Sequence, residues 1–230
     1  TRVTTRNGLF SLLSCLVPRD AVTIEDTWDV AGMRATGSRT YTTEGTFVPA
    51  RRAIPMWAMA EAGPAAFRIP AITSAHVQFA GLALGGAEGC YEHFGQLARD
   101  KRPAQVRVAL RDQGATQIAL ARSHAQLRSA SAYLRWVVEL LETAADGEAG
   151  VTVDERAEAR LAVTSIVDSA LEVVERLYRV AGTTGIRTAS PLQRSFTDLH
   201  VMSQQLFARP FHYENVGRYL LGIDHDRSMF

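Results

Sequence analysis

The hydrophobic periodicity of this chain changes at Pro70, and that change limits the folds that the chain can adopt. Before Pro70 the sequence is rich in Thr, Val and Gly, and turn signals interrupt it at short intervals. Stretches 9–17, 22–30 and 39–48 are predicted to be strands because β-branched and aromatic residues are frequent in them. After Pro70 the apolar residues recur at helical spacing, so the sequence predicts a small β segment followed by a larger helical one.

Four main helices and a short terminal one are predicted in the second part of the chain. The third begins at a cap formed by Thr152 or Asp154 and ends near Gly182. Ser190 and Pro191 start the fourth, because the fixed φ of proline suits the first helical position. The predicted ranges are 72–99, 106–145, 152–182, 190–210 and 213–221.

The third predicted helix has the pattern of a helix in a packed bundle. Its apolar positions alternate at spacings of four and three, and they are Ala162, Ile166, Ser169, Val173, Leu177 and Val180. The predicted fold class is therefore α+β, with a β-strand fragment followed by a mainly α four-helix bundle. We place the boundary at residue 60, which gives segments 1–60 and 61–230.

The composition excludes several classes of function. The formal net charge is +1, from 25 basic and 24 acidic residues, so no charge field favours nucleic acid. Cys15 and Cys90 lie far apart and no group of residues has the spacing of a metal site. We therefore expect reduced thiols, no metal and a cytoplasmic protein. No stretch approaches the about 20 apolar residues that a membrane-spanning helix needs.

Two separate segments carry the strongest functional signal. Residues 28–38 read Trp-Asp-Val-Ala-Gly-Met-Arg-Ala-Thr-Gly-Ser, and residues 190–200 read Ser-Pro-Leu-Gln-Arg-Ser-Phe-Thr-Asp-Leu-His. In this order they resemble the acyl-CoA dehydrogenase superfamily, and most of all its flavin-dependent monooxygenase branch, the two-component hydroxylases with a type 2 C-terminal domain. The chain is similar to the C-terminal part of such a protein. Residues 1–60 then correspond to the second half of a middle β domain and 61–230 to the C-terminal helical bundle, and we expect a longer intact protein.

This resemblance implies a flavin enzyme. It implies reduced FMN or FAD supplied by a separate reductase, reaction with O2, and oxygen transfer to an aromatic or amine small molecule. It also implies a cytoplasmic homo-oligomer, which we expect to be a tetramer. Two alternatives stay open: an acyl-CoA dehydrogenase that oxidises a thioester at its α,β carbons, and a non-catalytic bundle that has lost its flavin.

The resemblance also implies a flavin-phosphate site at the start of the second bundle helix. There the family has an Arg, a residue three positions later and a Gln eleven positions later, and Arg102, Gln105 and Gln113 occupy those positions. A guanidinium offers paired donors to a phosphate, and a helix N-terminus adds backbone donors. The turn Gly182-Thr183-Thr184 matches the family's glycine turn near the adenine or ribityl end of the flavin. The alternatives are solvated loop residues and a plain helix C-cap.

The resemblance places the catalytic base on the fourth helix. In the monooxygenase branch the string is Leu-Gln-Arg, two residues, Arg-Asp, one residue, His, and a second His five residues later. The positions that match are Leu192, Gln193, Arg194, Asp198 and His200. Thr197 replaces the second Arg, and Gln205 stands where the second His is expected. We name His200 and Gln205 as the candidate catalytic residues.

Each of these candidates has a second interpretation. Gln205 cannot take a proton at neutral pH, but it can orient a substrate through hydrogen bonds. His200 can titrate near neutrality, yet a hydrogen-bonded structural histidine explains it equally. Five residues along a helix lie about 140° apart, so the two are not expected in one pocket. A dehydrogenase is expected to have its carboxylate at Leu206, and residues 199–213 contain none.

Overall fold

Six α-helices account for most of the described structure, a computed structural model that describes residues 2–4, 10–55, 64–104 and 106–226. The helices are α1 (Ala65–Arg68), α2 (Ala71–Asp100), α3 (Gly114–Asp146), α4 (Val153–Ala181), α5 (Pro191–Met202) and α6 (Phe211–Leu220). The strands are β1 (Arg2–Thr4), β2 (Phe10–Cys15), β3 (Thr23–Glu25), β4 (Thr40–Thr42) and β5 (Ala53–Pro55). The predicted α+β class, a strand segment followed by a helical bundle, is confirmed.

Helix α4 lies at the centre of the bundle. It packs against α2, α3, α5 and α6. Its predicted apolar seam is buried, since Ala162, Val173 and Leu177 are inaccessible to solvent. Ser169 and Val180 of the same seam are half-buried. Burial of one Val or Leu side chain stabilises a fold by about 1.5–3 kcal/mol, so this face fixes how the other helices are arranged.

Helix α2 divides its small residues between two faces. Ala80, Ala83 and Ala87 are fully buried in the core. A Cβ added at Gly85 or Gly89 would meet open space in the described structure. The sequence predicts close core packing for the whole cluster of small residues; the alanines have it and Gly86 lies against Leu199, whereas Gly85 and Gly89 do not.

The strands are shorter than predicted and form two small sheets. Strand β2 pairs antiparallel with β1 and with β5, and β3 pairs antiparallel with β4, with Ile24 opposite Tyr41. The predicted strands 22–30 and 39–48 thus contain only three paired residues each. Leu16 and Phe47 are 74% and 85% exposed. Within the described part of the chain, these sheets bury little apolar surface.

Helix α3 begins eight residues later than predicted, at Gly114 instead of residue 106. The preceding segment is a closed loop, because the Leu110 N–H donates to the Lys101 carbonyl at 2.9 Å. A short 3-10 turn, Leu110–Asp112, then leads into the helix. The bond between the two ends of the loop holds this segment out of the helix that its periodicity favours.

Helix α5 ends at Met202, although the sequence predicts a helix that runs on to residue 210. The Ser203 hydroxyl donates to the His200 carbonyl at 2.7 Å, and Gln205 Oε1 accepts the Phe207 N–H at 2.5 Å. Side-chain bonds of this kind compete with helical backbone bonds. Leu206, predicted on the apolar stripe of this helix, is consequently 46% exposed.

None of the helices in the described ranges combines the length and the apolar character that a bilayer crossing requires.

The N-terminus of α4 carries the predicted cap. Thr152 donates its N–H to the Glu155 carboxylate at 2.8 Å, and the Thr152 hydroxyl donates to the same carboxylate. The Thr152 side chain also pairs with the Glu155 N–H, which completes a capping box and satisfies backbone donors that a helix leaves unpaired at its start. The hydroxyl bond from Thr152 lowers the pKa of Glu155.

We predict that Thr152→Ala lowers the free energy of unfolding by about 0.5–2 kcal/mol at neutral pH, because the cap is lost. The folded pKa of Glu155 is depressed, so its contribution is present above the unfolded pKa of about 4.3 and is lost as pH falls through the folded value. The difference between wild type and variant in urea unfolding should therefore shrink in acid. Ser129→Ala is the control, since Ser129 bonds only to the Ala125 carbonyl in mid-helix. A variant as stable as wild type at pH 7 would contradict the prediction.

Candidate functional site

The β segment contacts the bundle at one very close approach between Gly32 and helix α5. Gly32 is buried, and a Cβ added to it would lie 2.4 Å from the Thr197 carbonyl oxygen and 2.8 Å from the Asp198 nitrogen. Real Cβ atoms do not approach backbone atoms so closely, so only glycine fits here. This contact places the turn predicted at residues 32–38 directly against the helix that carries His200.

Asp198 holds the same turn through a hydrogen bond. The Met33 N–H donates to Asp198 Oδ1 at 2.6 Å. Met33 has a φ of 53°, in the left-handed region that non-glycine residues seldom adopt. Its carbonyl accepts the Trp28 indole N–H at 3.1 Å and the Thr36 hydroxyl at 2.8 Å. Three side chains thus converge on one strained residue, which fixes Trp28 and the turn beside α5.

His200 is held by hydrogen bonds on both ring nitrogens. With the protons placed to suit these partners, Nδ1 donates to the Phe196 carbonyl at 2.7 Å. Nε2 lies 3.1 Å from Glu175 Oε1 on α4. The imidazole is thus held between a carbonyl oxygen on its own helix and a carboxylate on α4. The ring also packs on Phe196, with centroids 4.1 Å apart.

Gln205 lies outside helix α5, in the segment that joins α5 to α6. It caps the 3-10 turn Leu206–Ala208, with its Oε1 accepting the Phe207 N–H. Its side chain is exposed, whereas the prediction placed it on a helical face. The expectation that Gln205 and His200 do not share a pocket assumed one continuous helix, whereas Gln205 lies beyond the end of that helix.

A buried cluster of polar side chains supports this joining segment. Arg160 and His212 are fully inaccessible, and His76 is 1% exposed. Arg160 Nη2 donates to His76 Nε2 at 2.5 Å. Burial, and then the nearby Arg160 charge, lower the pKa of His76 to about 2 and the pKa of His212 to about 4. Both histidines are therefore neutral at pH 7, and Arg160 is the buried cation.

The loop that leads into α3 carries two of the three residues assigned to flavin phosphate. Arg102 is exposed, and Gln113 directly precedes α3. The Nε2 atom of Gln113 is buried and has no hydrogen-bond partner among the described residues, and the same holds for the Thr116 hydroxyl one turn later. Buried donors of this kind are uncommon and need an acceptor. Gln105 falls outside the described residues.

The turn Gly182-Thr183-Thr184 lies next to the loop that carries Arg102. The Lys101 ammonium donates to the Ala181 carbonyl at 2.6 Å, and a Cβ on Gly182 would lie 3.8 Å from it. Gly182 has a φ of 60°, so it ends α4 in a conformation that favours glycine. Burial, followed by the nearby Arg187 charge, lowers the pKa of Lys101. Two groups of residues that were assigned separately from the sequence are therefore neighbours.

The candidate residues thus form two groups. One joins the loop 101–113 to the C-terminus of α4, and the other joins the turn 32–38 and His200 around α5, which the segment of Gln205 follows in the chain. In the part of the chain that the structure describes, no three metal-binding side chains come together. The arrangement suits an organic phosphate-bearing ligand and a small molecule better than a metal.

Several functional side chains escaped sequence reasoning. Asp198 belongs to the matched string, but nothing in that string indicates that it binds the Met33 N–H. Glu175 is a charged residue on an otherwise ordinary helix face. Arg160 carried the clearest signal, because it lies three residues after Ala157 and four before Thr164, both buried positions. A charged residue in such a series is seldom buried without a specific partner.

Comparison with known proteins identifies the family. The profile of the family described as "Acyl-CoA dehydrogenase, C-terminal domain" matches residues 77–210, more than half of the chain. The chain belongs to this family. The pigment production hydroxylase of Rhodococcus sp. (strain ATCC 21145) is 31% identical over 218 residues, which are 90% of this chain and 56% of that protein. The indole-3-acetate monooxygenase of Pseudomonas putida is 28% identical over 90% of this chain and 53% of that protein.

Solved structures agree with this membership. XiaF from Streptomyces sp., in complex with FADH2 and glycerol, superposes with a TM-score of 0.86 at 25% identity and covers 95% of this chain and 58% of its own. The 3-HSA hydroxylase from Rhodococcus sp. RHA1 has a TM-score of 0.85 at 23% identity, over 98% of this chain and 60% of its own. This family member therefore spans a little more than half the length of the relatives that it matches.

We predict that Gly32→Ala lowers the free energy of unfolding by about 1–3 kcal/mol, because the new methyl group overlaps the Thr197 carbonyl and the turn must move away from α5. Gly85→Ala on α2 is the matched control: its methyl group meets open space, and a helical alanine gains about 0.5–1 kcal/mol. Denaturant unfolding of both variants measures the difference. Equal effects of the two substitutions would contradict the close contact.

Proposed function

We propose that the intact protein is a flavin-dependent monooxygenase that takes reduced FMN or FADH2 from a separate reductase and uses O2 to oxygenate an aromatic or amine small molecule. The observation that carries the proposal is the nature of the relatives: those that align over nine-tenths of this chain are named hydroxylases and monooxygenases. Because the chain covers about half of each of them, the activity is proposed for the whole protein.

The residues of the first group fit the phosphates of a flavin. Arg102 presents an exposed guanidinium, and the buried Nε2 of Gln113 is a donor that lacks an acceptor in the described structure. Gln113 directly precedes α3, where backbone N–H groups and the helix dipole favour an anion, and Arg102 lies in the loop that leads to this helix. We propose that Arg102, Gln105 and Gln113 bind the phosphates, with Gly182, Thr183 and Thr184 beside them. When bound, the flavin supplies the oxygen chemistry.

The second group fits the substrate end of the site. The Oε1 atom of Gln205 accepts the Phe207 N–H. The amide N–H groups of Gln205 can still donate to a substrate oxygen. His200 is fixed by Phe196 and Glu175, and we propose that it sets the charge and shape of the site near α5. Trp28 and the turn 32–38 border the same helix and would limit the access of water and substrate.

The contacts of α5 favour a monooxygenase over an acyl-CoA dehydrogenase. Oxidation of a thioester needs a base to remove the α-proton, and residues 199–213 contain no carboxylate. Glu175 is the carboxylate bonded to this helix, and it lies within 3.1 Å of His200 Nε2. A carboxylate already bonded to the His200 ring is poorly placed to remove a proton from a substrate. The remaining alternative, a bundle without flavin, leaves the buried Gln113 donor unexplained.

We propose that the intact protein is a homotetramer, the oligomer implied by the resemblance. The glycine face of α2 supports an interface, since Gly85 and Gly89 leave room for a second helix and Leu82 is 57% exposed beside them. Ile118 and Trp136 on α3 are also exposed, at 57% and 48%. A cytoplasmic location is proposed with it, since Cys15 and Cys90 are both free thiols.

We predict that Arg102→Ala in the intact protein weakens flavin binding by about 1.5–3 kcal/mol, the range for a hydrogen bond to a charged group. The physical reason is the loss of paired donors to phosphate. Arg122→Ala, which removes an exposed arginine on α3, is the control and should leave the dissociation constant unchanged. Equilibrium titration of both variants with FMN and FAD measures the effect. Equal affinities for wild type and Arg102→Ala would show that Arg102 is only a loop residue.

The activity itself is tested with the intact protein, FMN or FAD, and a flavin reductase with its nicotinamide donor. We predict that isotopically labelled oxygen from O2 enters a product formed from at least one of indole, indole-3-acetate and resorcinol. Two of these compounds are in the names of relatives, and indole is bound in a structural neighbour. Mass spectrometry detects the label. Reduction of the enzyme's oxidised flavin by an acyl-CoA thioester, without labelled product, would overturn the proposal in favour of a dehydrogenase.

A further inference from the structure

The segment that joins α5 to α6 is bound at three consecutive backbone groups. The Leu206 carbonyl accepts His212 Nε2 from α6 at 2.8 Å. The Phe207 N–H donates to the Gln205 side chain, and the Phe207 carbonyl accepts Arg160 Nη1 from α4 at 3.0 Å. Two of the three partners, His212 and Arg160, belong to other helices, α6 and α4. This turn therefore has one geometry, set by residues far from it in sequence.

The Phe207 ring is enclosed by the same side chains. Its centroid lies 4.2 Å from the His76 ring, which it meets edge-on, and 5.8 Å from the Phe79 ring. The Arg160 guanidinium carbon lies 5.7 Å from the centroid, over the ring. Aromatic and cation–π contacts of this type are directional. Both the backbone and the side chain of Phe207 are thus oriented by α2 and α4.

Packing alone does not explain an arginine at the centre of this cluster. Arg160 is wholly inaccessible, and burial lowers its pKa to about 9. Removing a charge from water is costly, and an apolar side chain of similar volume often serves stability equally well. An apolar residue could not bind the Phe207 carbonyl and His76 at once. What the arginine adds is a fixed position for the turn.

We infer that Arg160 is a positioning residue for Gln205, acting through the backbone of Phe207. The inference rests on the proposed function, in which Gln205 donates to the substrate. Arg160 holds the Phe207 carbonyl and the Phe207 N–H holds Gln205 Oε1, while the Gln205 side chain is exposed, so that its amide N–H groups are open to a ligand. Residues that hold a ligand-contacting side chain in place determine how accurately that side chain is positioned.

The first experiment measures the turn itself in the intact, flavin-loaded protein. Arg160→Met should speed hydrogen exchange of the Phe207 and Ala208 amides at least tenfold, and Arg160→Lys, which keeps the charge and a single donor group, should speed it less. Arg176→Met is the control: Arg176 also lies on α4 and binds Ser123 and Gln126 of α3. It should leave exchange at 203–210 unchanged. Unchanged exchange in both Arg160 variants would overturn the inference.

The second experiment separates positioning from general stability. On the aromatic compound that the intact enzyme oxygenates, Arg160→Met should lower kcat/KM at least tenfold, with partial recovery in Arg160→Lys. In the Gln205→Ala background the same substitution should change kcat/KM less than twofold, because the residue being positioned is gone. Its effect on the melting temperature should persist in both backgrounds. A tenfold loss in both backgrounds would show that Arg160 acts on stability alone, and would overturn the inference.

The two failures are distinguishable. If none of the aromatic compounds is oxygenated by wild type, the proposed function fails, and with it the catalytic part of the inference, whatever hydrogen exchange shows. If wild type is active and flavin binding is normal but Arg160→Lys and Arg160→Met keep full kcat/KM, the proposed function stands and the positioning role of Arg160 is wrong.

Discussion

The buried face of helix α4 is the constraint on which every part of the candidate site depends. Arg160 near its start binds the Phe207 carbonyl, Glu175 further along binds His200, and the Ala181 carbonyl at its end accepts the Lys101 ammonium. From Arg160 to Ala181 the helix is about 30 Å long. Helix α4 is packed on four neighbouring helices. Its length therefore sets the distance between the two groups of candidate residues.

Helix α5 connects α4 to the β segment through two hydrogen-bonded side chains. Asp198 and His200 are two residues apart and so point about 160° away from each other around the helix. One binds the Met33 N–H and the other faces Glu175 on α4. One turn of α5 is therefore bonded to α4 on one side and to the turn at Gly32 on the other. A movement of α4 or of the turn at Gly32 would displace this part of α5. The strained φ of Met33 is tolerated because the surrounding bonds determine its conformation.

Sequence reasoning succeeded where the determinants are local. The cap at Thr152, the glycine end at Gly182 and the seam of α4 depend on residues within a few positions of each other, and all three were predicted. It failed for the end of α5, because bonds from Arg160 and His212 on other helices add to the local bonds of Ser203 and Gln205 that hold the next segment out of the helix. Long-range contacts of this kind override periodicity and leave no mark within a short window.

The candidate site shows the same division. The resemblance supplied the positions of Arg102, Gln113, His200 and Gln205, but not the groups that hold them. Lys101 holds the loop of Arg102 at the end of α4 by its bond to the Ala181 carbonyl. Sequence spacing could not predict this contact, because Lys101 and Ala181 are 80 residues apart. The buried Gln113 donor is equally invisible in sequence, since burial depends on how the loop 101–113 folds.

The joining segment shows why an amide can take the place of a titratable group at position 205. Phe207 has one backbone donor and one backbone acceptor, and Gln205 and Arg160 satisfy one each. With its oxygen already bonded to the Phe207 N–H, Gln205 has two free amide N–H groups to offer, so under the proposed function the substrate group that meets them is an acceptor. Proton removal then falls to another group or to water. The energetic cost of the buried Arg160 is consistent with a site that depends on accurate orientation at this position.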